Sequence, residues 1–392
     1  MICDLCTSSE LLPVLDLGHQ PLANKYPRAD QFEAEARFPL TVMFCENCRN
    51  VQLSEKVSRE LMFEDYFYLS SVNLGLVRHF SELAQKLKGS KFVIDVGSND
   101  GVLLSPLKEL GIKCLGVEPS INVSKIANDN GLETLCSFFD DVAATNIRKN
   151  YGHPDVIVAS SVFTHLDDPH SFLDDAYSLL EDDGRLIIEV EYIANIVKTL
   201  QFERFYLDRI YYYSLTSLSK LFEAHGFKIT SVEMIEPHGG SLRVIAHLLS
   251  SPMAVDKSVT SILEEEQNNL TSETFENFRN EILIQVNALR KLLQRFKDEG
   301  VSVAGYGAPA RVSTICNFAG IGPDLIPFTV DDSPLKQGRF TPGTHIPVVT
   351  REHLAQEKIE ALIVFAYEYI KDIRDKTNNA YRYFMPIPPR EI

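Results

Sequence analysis

Two groups of residues in this chain have the types and spacing to do chemistry. The first is four cysteines in two C-x-x-C pairs, Cys3 with Cys6 and Cys45 with Cys48. Each pair points two thiolates at one cation, and four thiolates close a tetrahedral zinc shell. A closed shell has no open position, so the expected Zn2+ is structural. The second group is Asp95-Val-Gly97-Ser98-Asn99-Asp100-Gly101, preceded by Phe92-Val-Ile and followed by an apolar run. It reads as a buried strand, a tight glycine turn and a helix. Glycine lets the backbone approach a ligand or take positive φ, and a helix start offers unpaired N–H groups. A second strand, CLGVEP, ends in Glu118 and Pro119, where a doubly wound fold holds a ribose. The expected ligand is a nucleoside cofactor, and the turn carries no dinucleotide fingerprint.

Further candidates lie around these two groups. The run SSVFTHL, carrying Ser161, Val162 and His165, closes a fourth strand. His165 there suits acid/base or hydrogen-bonding work, or is simply structural. Phe138 and Phe139 follow the third strand and either flank an adenine or pack into the core. Tyr66, Tyr68 and Ser70 either face a polar substrate or form a tyrosine-rich packing segment. His238 and Arg243 flank the Gly239-Gly240 turn, a combination that suits a phosphate-bearing substrate. Near the C-terminus, Gly305-Tyr306-Gly307 matches half of a dinucleotide fingerprint, a weak signal alone. Lys336, Arg339 and His345 follow near strand ends that could hold a diphosphate.

These residues need elements to position them. At 392 residues the chain is too long for one ordinary core. Alternating strands and helices over 80–250 imply an α/β fold with a mostly parallel sheet and ligands at its carboxyl ends. The expected domains are 1–70 around the cysteines, 71–254 around the glycine turn, a helical connector at 255–299 and a second α/β unit at 300–392. The connector carries a helical period. A net charge of −16 argues against a nucleic-acid partner. No apolar run reaches eighteen residues, so no membrane span is expected. The start MICDLC has neither a basic nor an apolar leader region, which makes a cytoplasmic location the expectation; a monomer is favoured.

Taken together, the motifs resemble the three-domain sugar C-methyltransferases of deoxysugar pathways from end to end. The carrying stretches are CxxC…CxxC with DLGHQPLAN between, YFYLSS, DVGSNDGVLL, GVEPSINVSKIA, SSVFTHLDDPHSFL, HGGSLRV, GYGAPAR, VDDSPLKQGRFTPGTHIPV and a terminal PIP. The resemblance implies an N-terminal zinc-binding domain, a central Rossmann-like domain for S-adenosyl-L-methionine (SAM) and a C-terminal Rossmann-like α/β domain. The last would help hold a nucleotide-linked keto-sugar. Family members methylate a carbon beside a ketone, which needs a base, a group to stabilise the enolate oxygen, and close positioning.

The chain departs from the family at the acceptor end. The family run Tyr-His-Glu-His reads Tyr206-Leu207-Asp208-Arg209 here, and a family Trp-Asn pair gives way to Phe365-Ala366-Tyr367-Glu368. Arginine cannot be a conventional base. The resemblance therefore leaves Tyr206, Asp208 or His165 as base, with Arg209 holding the enolate or a phosphate. A sugar hydroxyl or amine acceptor is the alternative, then ligand binding without turnover. A nicotinamide-dependent oxidoreductase, read from GYGAPA, is more distant.

Overall fold

The computed structural model describes residues 1–58, 62 and 70–392. Tyr66 and Tyr68 lie outside the described residues, as do the side chains of Val72 and His238. Three antiparallel strands open the chain: β1 (Leu11–Pro21), β2 (Arg37–Cys45) and β3 (Val51–Leu53). Their inward residues, among them Val14, Leu17, Leu40, Val42 and Phe44, are buried.

The central sheet places β4 (Phe92–Val96), β5 (Lys113–Val117), β6 (Thr134–Leu135), β7 (Val156–Ser160) and β8 (Arg185–Glu191) in parallel. All five β4 residues are buried, the pattern of a strand covered on both faces. From β4 the chain runs outward through β5 and β6, then returns to β7 and β8 on the other side. That reversal makes a crevice at the carboxyl ends of β4 and β7. Between β8 and the next strands of this sheet, the two-residue β9 (Tyr211–Tyr212) leaves it and pairs with β3. Strands β10 (Phe227–Ile235) and β11 (Ser241–Leu248) then complete the central sheet, β11 antiparallel to β8 and β10 antiparallel to β11 at the edge.

The third sheet is β12 (Val303–Tyr306), β13 (Thr329–Val330), β14 (Val348–Val349), β15 (Ala361–Val364), β16 (Arg382–Met385) and β17 (Arg390–Glu391). Its order is β14-β13-β12-β15-β16-β17, parallel except for β17.

The expected connector is two helices, Lys257–Asn269 and Ser272–Glu299. They divide at Thr271, whose hydroxyl accepts the Thr274 N–H and caps the second helix. Phe275, Phe278, Ile282, Leu289 and Leu293 lie on one face and are buried. They share a core with Leu40 and Phe44 of the first sheet and Val312, Ile315 and Ile363 of the last unit. The segment is a spine between two units, because a continuous apolar stripe must be covered on folding. No helix among the described residues is long and apolar enough to cross a membrane.

One surface cluster has a pH consequence. Burial, then Asp141, Asp140 and Asp174, push the Asp175 carboxyl up to about 6. A raised folded-state value means a favourable contribution at low pH that disappears as pH rises from about 4 through 6. Asp175→Asn should therefore raise the melting temperature at pH 7.5 by about a degree and have no such effect near pH 3.5, read by thermal melts at both.

Candidate functional site: a cleft and a separate four-cysteine centre

The carboxyl ends of β4, β5 and β7 open into a cleft of about 1000 Å³, whose far wall is the C-terminal unit. At one end the Gly97 N–H donates to the Val117 carbonyl at 2.7 Å. Gly97 sits at φ 70°, and a Cβ there would lie 2.1 Å from Val162 Cγ2. Glycine is required both by the left-handed backbone and by this contact. Glu118, at the tip of β5, accepts the N–H of Asn99 at 3.1 Å and of Ser120 at 2.8 Å. Burial, then the charges of Glu118 and Glu189, push the Asp95 carboxyl well above its usual range. Asp95, Gly97, Ser98, Asn99, Glu118, Pro119, Phe138, Phe139, Ser161 and Val162 all line this end. Phe139 also packs on Phe172, ring centroids 5.0 Å apart.

Two nominated cofactor residues do not line the cleft. Asp100 turns back to accept the Ser71 hydroxyl and N–H, while Asn99 Oδ1 accepts the Ser70 N–H at 2.9 Å. Gly101 is pressed against Leu132. The polar end of the turn ties down the approach to helix Leu74–Lys86, because buried backbone donors need acceptors.

His165, Tyr206, Asp208 and Arg209 line the same cleft. His165 Nδ1 hydrogen-bonds the Asp208 backbone carbonyl. A carbonyl only accepts, so Nδ1 carries the proton and Nε2 is the basic nitrogen of the neutral ring. Arg209 Nη2 lies 2.6 Å from Glu191 Oε1, and its guanidinium sits 4.8 Å from the Tyr206 ring centroid. Burial raises the Tyr206 phenol above its ordinary value, with Arg209 and Arg204 pulling the other way. It keeps its proton at neutral pH and can donate. The Tyr212 hydroxyl donates to the Arg204 carbonyl at 2.9 Å and accepts the Tyr206 N–H at 3.0 Å. Strand β9 thus holds the turn that presents Tyr206.

The nominated substrate residues divide. Ser70, Lys336 and Arg243 line the cleft. Arg243, however, is committed: its Nε lies 2.6 Å from Glu189 and its Nη1 3.0 Å from Glu233. Burial opposes ionisation of Glu189, but His79, Arg243 and Ser160 hold it at about 2. The cation at the Gly239 turn is instead Arg204, whose Nη2 would lie 2.2 Å from a Cβ on Gly239. Tyr306, Arg339 and His345 are not on the cleft wall. Tyr306 is buried among Phe328, Val330 and Leu362, which pushes its hydroxyl up to about 12. Arg339 donates to the Tyr26 carbonyl at 3.0 Å. His345 stacks on Phe32 at 3.8 Å and pairs with Glu35 at 3.0 Å. Arg339 and His345 thus fasten the last unit to the first, through the Tyr26 carbonyl and the Glu35 carboxylate.

Sequence reasoning missed Arg204, Arg311 and Glu368. All three line the cleft, and Glu368 pairs with Arg204 at 2.6 Å and Arg311 at 2.7 Å. The available signal was Arg311 inside GYGAPAR and an acid in the run that replaces the family Trp-Asn.

The metal ligands meet as expected. The Sγ atoms of Cys3, Cys6, Cys45 and Cys48 all lie within 4.8 Å of one another. Cys3 and Cys48 are 3.6 Å apart, as are Cys6 and Cys45. Sulfurs on a tetrahedral zinc stand about 3.8 Å apart at the usual Zn–S length. Asn47 Nδ2 donates to Cys6 Sγ at 3.4 Å, the kind of support that orients a thiolate ligand. The four side chains fit zinc.

Comparison with known proteins agrees. A zinc binding domain family matches residues 3–63, a methyltransferase domain family 68–232, and a C-methyltransferase C-terminal domain family 236–388. C-methyltransferase NovU of Streptomyces niveus is 30% identical over 407 positions, spanning 100% of this chain and 96% of that protein. Ubiquinone biosynthesis O-methyltransferase of Maricaulis maris is 26% identical over 134 residues, 32% of this chain and 52% of that protein. Among solved structures, the CcbJ methyltransferase from Streptomyces caelestis aligns at a TM-score of 0.37 and 14% identity, over 47% of this chain and 94% of that one. With a full-length relative at this identity and all three modules in order, the chain belongs to the C-methyltransferase family, SAM-dependent enzymes built on a structural zinc module.

Proposed function

We propose that this enzyme methylates a nucleotide-linked keto-deoxysugar at the carbon beside its ketone, through an enolate. The observation that carries the reading is the pairing of His165 with the Asp208 carbonyl at the acceptor end of the cleft. It makes Nε2 a basic nitrogen on a wall that runs to the nucleoside end. When bound, SAM supplies an electrophilic methyl on a sulfonium. Asp95 and Glu118 lie where they can meet the nucleoside and its ribose. His165 takes the proton from the carbon next to the ketone. Arg209, fixed by Glu191, supplies positive potential for the enolate oxygen, and the protonated Tyr206 phenol can donate to it. Asp208, whose carboxylate accepts from Asn24 Nδ2 at 3.3 Å, orients His165 through its carbonyl. A base that can remove a carbon-bound proton favours carbon over heteroatom methylation, since a hydroxyl acceptor needs only weak base assistance.

The test is mass spectrometry of the enzyme with SAM and a panel of nucleotide-linked 4-keto-deoxysugars in deuterated water. A methylated product carrying deuterium at the adjacent carbon is expected. Methylation without wash-in would move the assignment to an oxygen or nitrogen acceptor.

A further inference from the structure

The three side chains Tyr367, Glu368 and Tyr369 form one short helical turn of the C-terminal unit, and each contacts the methyltransferase unit. The Tyr367 hydroxyl donates to Glu203 Oε1 at 2.6 Å. Glu368 accepts from Arg204 Nη2 at 2.6 Å with one oxygen and from Arg311 Nη2 at 2.7 Å with the other. Asn73 Nδ2 donates to the Tyr369 hydroxyl at 3.2 Å. Arg311, from the C-terminal unit, also lies 4.7 Å from the Tyr367 ring centroid. The result is a strap between the two walls at the acceptor end of the cleft.

The strap continues into the site. Arg204 and Arg311 are buried, at 4% and 8% side-chain exposure, while Glu368 keeps 32%. Two guanidinium groups this close and this desolvated need a shared anion, and Glu368 is that anion. Burial opposes its ionisation, but Arg311 and then Arg204 keep it charged. The Arg204 carbonyl accepts the Tyr212 hydroxyl, and that hydroxyl accepts the Tyr206 N–H. Two residues beyond Tyr206, the Asp208 carbonyl accepts from His165 Nδ1. A continuous path therefore runs from Glu368 in the C-terminal unit to the turn that presents Tyr206 and orients His165.

We infer that Glu368 is a positioning residue, which fixes the 203–209 turn against the C-terminal unit and so sets the geometry of methyl transfer. It acts through Arg204, and the nucleoside end of the cleft is independent of it. Because transfer needs near-attack geometry, a small displacement of the turn costs rate before it costs cofactor binding.

The test compares the zinc-loaded full chain with Glu368→Gln, which keeps the shape but loses the charge, and Glu368→Asp, which keeps the charge. Hydrogen–deuterium exchange over 203–209 should speed up about tenfold or more in Glu368→Gln and return towards the parent rate in Glu368→Asp, with β4 and β7 unchanged. With SAM and the same keto-sugar panel, kcat should fall about 10- to 100-fold in Glu368→Gln at unchanged KM for SAM, with partial recovery in Glu368→Asp. Unchanged exchange over 203–209 would overturn the inference. So would a rise in KM for SAM that matches the fall in kcat without recovery in Glu368→Asp. The turnover arm rests on the proposed reading and the exchange arm does not. If the panel gives no product while the exchange pattern holds, the keto-sugar assignment fails and the positioning role stands. Should Glu368→Gln not fold, Arg204→Lys keeps the positive charge, loses the guanidinium that reaches Glu368 and gives the same readouts.

Discussion

His165→Ala is expected to slow methyl transfer by about 10²- to 10⁴-fold, the usual contribution of a positioned general base, with KM for SAM changed by less than about twofold. The split follows from the geometry. His165, Glu118 and the Gly97 turn all line the cleft, and on the proposed reading His165 meets the acceptor while the other two meet the nucleoside. Alanine also removes the donor to the Asp208 carbonyl, so a second variant is needed. His165→Asn retains an N–H donor near the position of Nδ1 and lacks a basic nitrogen. If the ring is the base, His165→Asn is as slow as His165→Ala, and both lose deuterium wash-in to the acceptor carbon. If His165 serves only to hold Asp208, His165→Asn recovers most of the rate and the base must be sought at Asp208. Steady-state kinetics and isotope exchange on one set of samples decide between these outcomes.

Removal of zinc should abolish methyl transfer altogether, although the metal lies away from the cleft. Structural zinc binding contributes folding free energy directly, about 10–16 kcal/mol in small zinc modules. Even a part of that, at about 2–4 °C per kcal/mol for units of this size, lowers the melting temperature by 10 °C or more. The effect reaches the site through Asp4, which stands between two ligands. Its carboxylate accepts the Tyr211 hydroxyl at 3.0 Å and pairs with Lys56 at 2.9 Å, and its N–H donates to Gln52 at 3.0 Å. Tyr211 belongs to β9, next to Tyr212, which holds the Tyr206 turn. Chelation or Cys48→Ser should release zinc, lower the melting temperature and remove activity together. Cys136→Ser, at an exposed thiol, should do none of these. A chelated protein with parent melting and parent turnover would show that the cysteines do not hold the fold.

Much of the layout was legible because it depends on short-range geometry. Cys3–Cys6 and Cys45–Cys48 can each face one ion whatever surrounds them. The run FVIDVG announces a strand buried on both faces and a turn that only glycine can make. The helical segment was legible as an amphipathic stripe, but periodicity does not say what covers it. In the fold that stripe became a spine shared by the first and last units. Strand β9 was not legible at all: two residues carry no period, and their partner Val51 lies about 160 positions away.

The sequence alone marked a four-cysteine cluster, a glycine turn after a buried strand and a departure from the family at Tyr206–Arg209, since each is written in residues close together in the chain. Only the tertiary structure decided how the charges paired. Arg243 looked available for phosphate and is consumed by Glu189 and Glu233. Arg204, which the sequence did not single out, is the guanidinium at the Gly239 turn, joined to Glu368 from the far end of the chain. The physical reason is that a buried cation must meet an anion or lose its solvation without compensation. Which anion it meets is set by the packing of three sheets, a property no local stretch of sequence contains.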